Sequence, residues 1–156
     1  MSELKQRLRD DLTAAIKAKD EVVLATLRMA LSAISTEEVA GQSVRELSDD
    51  EVLRVLSREA KKRREAAEAF ANAGRTEMAA REQSEGEVLA RYLPSQLGEA
   101  ELAAIAREAV EEVAARLGAR PGPRDMGQVM KLATAKVAGR AEGSRVAAAV
   151  RSMLQG

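Results

Sequence analysis

An all-α fold, arranged as a four-helix N-terminal domain followed by a three-helix C-terminal bundle, is what this sequence predicts, and three observations predict it. Hydrophobic residues make up 46% of the 156, nearly all of them Ala, Leu, Val, Ile and Met; Phe70 and Tyr92 are the only aromatics. Together with Glu, Lys and Arg these are helix formers, because they lose little rotamer freedom in a helix. Apolar residues recur at three- and four-residue spacing, and no strand-like alternation or Asn-Gly hairpin turn interrupts them. That much apolar surface excludes a disordered chain, and no internal repeat or low-complexity segment is present.

The elements follow in order. Leu4, Leu8, Leu12, Ala15 and Ile16 fall on one face of a helix running from about Ser2 to Lys17. Asp20 is placed to cap a second helix, whose Leu24, Leu27, Leu31 and Ile34 draw a narrow seam ending near Gly41. Ser48 and Glu51 have the spacing of a capping box and open a third helix carrying Val52, Leu56, Ala60, Ala67 and Phe70, with Gly74 as its stop. A fourth spans Thr76 to Tyr92 and is ended by Pro94, because the residue before proline avoids helical angles. The stretch Pro94 to Glu99 marks a boundary between domains 1–94 and 95–156. Beyond it, Leu102, Ile105, Ala109, Val110, Val113 and Leu117 mark a fifth helix, broken at Gly118 to Gly122. Pro123 opens a sixth with Met126, Val129, Met130, Ala133 and Val137 inward. Gly139 ends it, and Val146, Ala149, Val150, Met153 and Leu154 line a seventh.

Composition also excludes function classes. The 25 basic and 25 acidic residues cancel, so a globally basic nucleic-acid coat is ruled out, though a local patch is not. Without cysteine there is no disulfide, thiolate nucleophile or thiolate metal site. Without histidine the commonest general base and metal ligand are both missing. No phosphate-loop or dinucleotide glycine fingerprint occurs. Asp49 and Asp50 sit in the first turn after Ser48, where acids complement the helix dipole, and with Glu51 given to the capping box no third ligand is expected nearby to make a cation site. The Ser2–Lys5 spacing of some acyl-transfer enzymes is a coincidence of the N-terminus. No catalytic residue, metal or cofactor is therefore expected. No apolar run approaches the roughly 20 residues of a membrane helix, the first nine residues lack the apolar centre of a signal peptide, and the expected compartment is the cytoplasm.

The one concentration of chemistry is C-terminal. From Arg120 to Gly156 there are seven basic residues, Arg120, Arg124, Lys131, Lys136, Arg140, Arg145 and Arg151, against Asp125 and Glu142. At 100° per residue, Arg124, Gln128 and Lys131 lie together opposite the apolar face of the sixth helix. Gly127 and Gly143 fall at helix starts, where backbone N–H groups attract anions. Such a face suits phosphate contact, and with no aromatic in this half it does not suit base stacking. The bland alternative is a solvated helix face beside glycines kept for tight packing. The run Lys61-Lys62-Arg63-Arg64 spans more than a helical turn among Glu59, Glu65 and Glu68, and reads as a salt-bridged surface.

Several segments resemble the GatB/YqeY family. They are Asp125-Met126-Gly127-Gln128-Val129-Met130-Lys131, then Gly139-Arg140-Ala141-Glu142-Gly143 with Val146 and Val150, and upstream Thr26-Leu27-Arg28-Met29, Lys61 to Glu65, and Tyr92-Leu93-Pro94. The C-terminal part of that family is similar to the tail of GatB, a subunit of the tRNA-dependent glutamine amidotransferase. The resemblance implies an all-helical two-domain fold, tRNA contact, and association with carbon–nitrogen ligase chemistry using glutamine as amide donor. Where the family often has Asp before the second glycine, this chain has Glu142, a poorer helix cap.

The expected function is accordingly an accessory tRNA-interacting protein without a catalytic centre. Arg124, Lys131, Lys136, Arg140 and Arg145 would meet phosphates, Gln128 would share their face, and Gly127 and Gly143 would allow close approach. Its partners would be tRNA, with an amidotransferase or another protein beside it. The alternative is a helical protein–protein adaptor with no nucleic-acid role.

Overall fold

Seven α-helices carry the structure in the computed structural model, which describes residues 2–155; no strand occurs among the described residues. The chain divides into two compact units, residues 1–93 and 94–156.

The first unit holds α1 (Glu3–Ala18), α2 (Glu21–Glu38), α3 (Asp49–Asn72) and α4 (Thr76–Ala90). Each of the first three starts where a side chain satisfies a free backbone donor. The Ser2 hydroxyl accepts from the Lys5 N–H at 2.9 Å, and Asp20 accepts from the Val23 N–H at 3.2 Å. At α3 the capping box is complete: the Ser48 hydroxyl accepts from the Glu51 N–H at 3.2 Å, and Glu51 accepts back from the Ser48 N–H at 3.3 Å. Arg45 adds a fork onto the same carboxylate, and with the Ser48 donor holds the Glu51 carboxyl down at about 2. Asp49 faces a helix start rather than a cation, since its Oδ1 accepts from the Leu4 N–H of α1 at 3.1 Å. Gly74 closes the α3–α4 turn at φ +76°, a conformation in which a Cβ is strained.

Leu8, Leu27, Ile34, Val52, Leu56 and Leu89 are wholly buried in this unit, each contributing roughly 1.5–3 kcal/mol by leaving water. Along α3 and α4 the contact is partly ionic: Arg63 turns inward to Glu59, Glu85 and Glu82 at 3.4, 3.3 and 3.9 Å. Lys61 and Lys62 instead point outward and pair along their own helix with Glu65 and Glu59. Two helix ends differ from the sequence expectation. α2 stops at Glu38, not near Gly41, because the Glu38 side chain turns in to meet Lys5 and the Leu47 N–H. α4 stops at Ala90, leaving Tyr92 in the following turn, where its hydroxyl donates to Asp11 of α1.

The second unit holds α5 (Glu99–Leu117), a single 3-10 turn (Pro123–Asp125), α6 (Met126–Val137) and α7 (Gly143–Gln155). Leu97, Leu102, Ala109, Val113, Val129, Val137 and Val150 form its core. The alanines among the buried residues, Ala106, Ala109 and Ala133, let the helix backbones approach closely. Pro123 does not open α6 directly. It opens the 3-10 turn, which the Asp125 carboxylate ties by accepting from the Gly122 N–H at 2.8 Å. The α6–α7 connection turns through two left-handed residues, Ala138 at φ 50° and Gly139 at φ +78°. No helix among the described residues is long and apolar enough to cross a membrane.

Candidate nucleic-acid interface

The eight residues singled out in the C-terminal unit divide between the two ends of α6. At its start stand Arg124, Gly127, Gln128 and Lys131, all exposed. Arg124 belongs to the 3-10 turn rather than to α6, so the helical wheel does not apply to it, yet its side chain still reaches solvent. Neither Arg124 nor Lys131 has a hydrogen-bond or ion-pair partner among the described residues. Arg120 joins this end by donating to the Met153 carbonyl at 3.4 Å, which brings the close of α7 beside the start of α6.

The other group is engaged within the unit. Lys136 lies 2.8 Å from Glu112 and 3.8 Å from Glu108, one turn apart on α5. The Glu112 carboxylate beside it holds its ammonium above the ordinary lysine range. Arg140 donates from Nε to the Ser95 carbonyl at 3.0 Å. Arg145 donates to the Leu97 carbonyl at 2.9 Å and to Glu99 at 2.8 Å. The Leu97 N–H completes the arrangement by donating to the Arg140 carbonyl at 2.8 Å. Two arginines of the α6–α7 connection thus strap the segment before α5 onto the bundle. Sequence reasoning placed them on an outward face because the pairs lie 45 to 48 residues apart and leave no local pattern.

The glycines also behave differently from a packing role. A Cβ placed on Gly127 or Gly143 meets no atom within 4 Å, and neither residue has a positive φ. Within this unit neither crowding nor backbone conformation requires glycine there. The N–H groups at the start of α6 are partly used, since the Met126 N–H donates to the Pro123 carbonyl. At the start of α7 the Glu142 carbonyl accepts from the Arg145 and Val146 N–H groups, both at 3.0 Å.

In the first unit no catalytic constellation forms around Ser2 and Lys5: the hydroxyl caps α1, and the ammonium is bound by Glu38 at 2.8 Å. Among the described residues no group of three or more acidic side chains is placed to hold a metal ion.

The pattern of the Yqey-like protein family matches residues 5–154. The uncharacterized protein C22F3.15 of Schizosaccharomyces pombe (strain 972) is 36% identical over 88 residues, 56% of this chain and 69% of the yeast protein. A match running through both helical units, over the segments that carry Arg28, Arg63, Gly127 and Gly143, establishes that the chain belongs to the Yqey-like protein family.

Proposed function

We propose that this protein is an accessory, non-catalytic partner of tRNA that contacts phosphate oxygens through the start of α6. The observation that carries the reading is the pair of open cations, Arg124 and Lys131, flanking the exposed Gln128 and Gly127. Charged side chains held on a rigid helix and lacking an internal partner are free to replace condensed counterions on a nucleic-acid backbone. Gly127 leaves room there for a close approach of the backbone. The similarity of the family's C-terminal part to the tail of a tRNA-dependent amidotransferase points to tRNA as the polyanion. The same similarity connects the protein with glutamine-dependent carbon–nitrogen ligase chemistry as a companion. Ammonia release and acyl activation call for a strong nucleophile and a nucleotide site, and the sequence has neither cysteine nor a phosphate loop.

Fluorescence anisotropy with labelled tRNA tests this. The R124E/K131E variant is expected to lose about tenfold or more in affinity at low salt while keeping its helical content. Equal affinity of variant and wild type would refute the reading, as would binding indifferent to salt, which would favour a protein adaptor.

A further inference from the structure

We infer that carboxylates of α5 confine a bound polyanion to the start of α6, which makes Glu99 and Glu112 determinants of the footprint. The inference rests on the tRNA reading above and deepens it. Of the five cations between residues 124 and 145 that suit phosphate, only Arg124 and Lys131 stand open. Lys136 is occupied by Glu112 at 2.8 Å with Glu108 at 3.8 Å, and Arg145 by Glu99 at 2.8 Å together with the Leu97 carbonyl at 2.9 Å. The third, Arg140, is held by a main-chain carbonyl.

These carboxylates are not there to build the core. Their side chains are 88% (Glu99), 47% (Glu112) and 64% (Glu108) exposed, and ion pairs so open to water add little to folding. Their consequence lies in what can approach. A phosphate arriving at Lys136 or Arg145 must displace a carboxylate or sit beside one, and either costs attraction. α5 carries two further exposed acids, Glu101 and Glu111, against Arg107 and Arg116, so the helix whose Glu108 and Glu112 meet Lys136 is acidic on balance. The open strip covers eight residues, Arg124 to Lys131, whose seven steps span roughly 10 Å at 1.5 Å per residue. That length suits two phosphates, whereas the full α6 of 12 residues would carry a contact nearly twice as long. The protein would therefore grip a short arc of RNA backbone at one end of the bundle.

The test is the salt dependence of tRNA binding, read by anisotropy, in four proteins: wild type, R124E/K131E, E99Q/E112Q and E101Q/E111Q. Glu101 and Glu111 pair with no cation among the described residues, so the last two variants change net charge equally and only one uncovers cations. Wild type is expected to show a log–log salt slope of about −1.6, about 0.7–0.9 for each of two phosphate contacts. E99Q/E112Q should bind at least about threefold more tightly at low salt, with a slope steeper by about 1.5, as Lys136 and the Arg145 donor released by Glu99 form two more contacts while Arg145 keeps its bond to the Leu97 carbonyl. E101Q/E111Q should keep the wild-type slope. Equal slopes for the two glutamine variants would overturn the inference even if R124E/K131E still loses affinity. If R124E/K131E binds like wild type, the tRNA reading fails instead, and the footprint inference fails with it.

Discussion

Lys5 of α1 and Glu38 at the end of α2 form an ion pair inside the first unit, with Nζ 2.8 and 3.0 Å from the two carboxylate oxygens and side chains only 8% and 11% exposed. Glu38 also accepts from the Leu47 N–H at 3.4 Å, so a single carboxylate fixes the end of α2, the flank of α1 and the loop into α3.

Removing one member of that pair leaves the other charge buried without a partner. Lys5→Met or Glu38→Gln alone is expected to cost about 3–5 kcal/mol in urea unfolding. The double variant K5M/E38L, which buries apolar atoms in the same space, should recover most of the loss. The Lys5 hydrogen bond, against the opposing effect of burial, holds the Glu38 carboxyl below the ordinary glutamate range. Its contribution is therefore complete above the unfolded-state value, about 4.3, and is lost as pH falls through the depressed native one. The urea midpoint of wild type should drop on acidification below about pH 4 more steeply than that of the double variant. Parallel pH profiles for the two would contradict this account.

Tyr92 is the only tyrosine, so its ionisation can be followed without interference. Burial, and then the hydrogen bond donated to Asp11, push its phenol well above the ordinary value, while Arg7 stacked at 4.6 Å over the ring pulls the other way. The stabilisation is fully present below about pH 10 and disappears as pH rises through the raised native value. Phenolate absorbance should thus appear only together with alkaline unfolding, and Asp11→Asn should bring it earlier. Tyr92→Phe is expected to cost about 1.5 kcal/mol, the scale of a hydrogen bond to a charged acceptor. A phenol titrating near 10 in the folded protein would rule the arrangement out.

Gly127 lies in open space at the second position of α6 with an ordinary φ, so Gly127→Ala meets no clash. It should raise stability by up to about 1 kcal/mol, since glycine loses more backbone freedom in a helix than alanine. If the backbone there is approached closely by phosphate, the same variant should bind tRNA several-fold more weakly. A thermal melt and an anisotropy titration on one preparation check both signs, and a stabilised protein with unchanged affinity would remove Gly127 from the interface.

What was legible in the sequence was local. The Ser48–Glu51 capping box, the Asp20 cap and the Gly74 turn depend on residues three or four apart, and the structure forms each where the spacing puts it. Where the reading slipped, a distant partner decided the outcome. The end of α2 moved because Glu38 is drawn to Lys5, 33 residues away. The expectation that Pro123 opens the sixth helix missed that Asp125 would first close a 3-10 turn there, with α6 starting at Met126. The basic face was read from a wheel, which orders side chains around one helix and is blind to carboxylates on its neighbour. Lys136, Arg140 and Arg145 joined Arg124 and Lys131 only through the basic excess of the segment, and a charge count is equally blind to such partners: only Arg124 and Lys131 are open.

The strap over Leu97 has a bearing on the order of assembly during synthesis. Leu97 is the first core residue of its unit to be made, yet the atoms that hold its main chain belong to Arg140 and Arg145. The earliest-made piece is thus secured among the last, a long loop closure of the kind that slows folding. A nascent chain halted before residue 140 would carry α5 with its leading segment untethered, whereas every residue of the first unit would already have been translated.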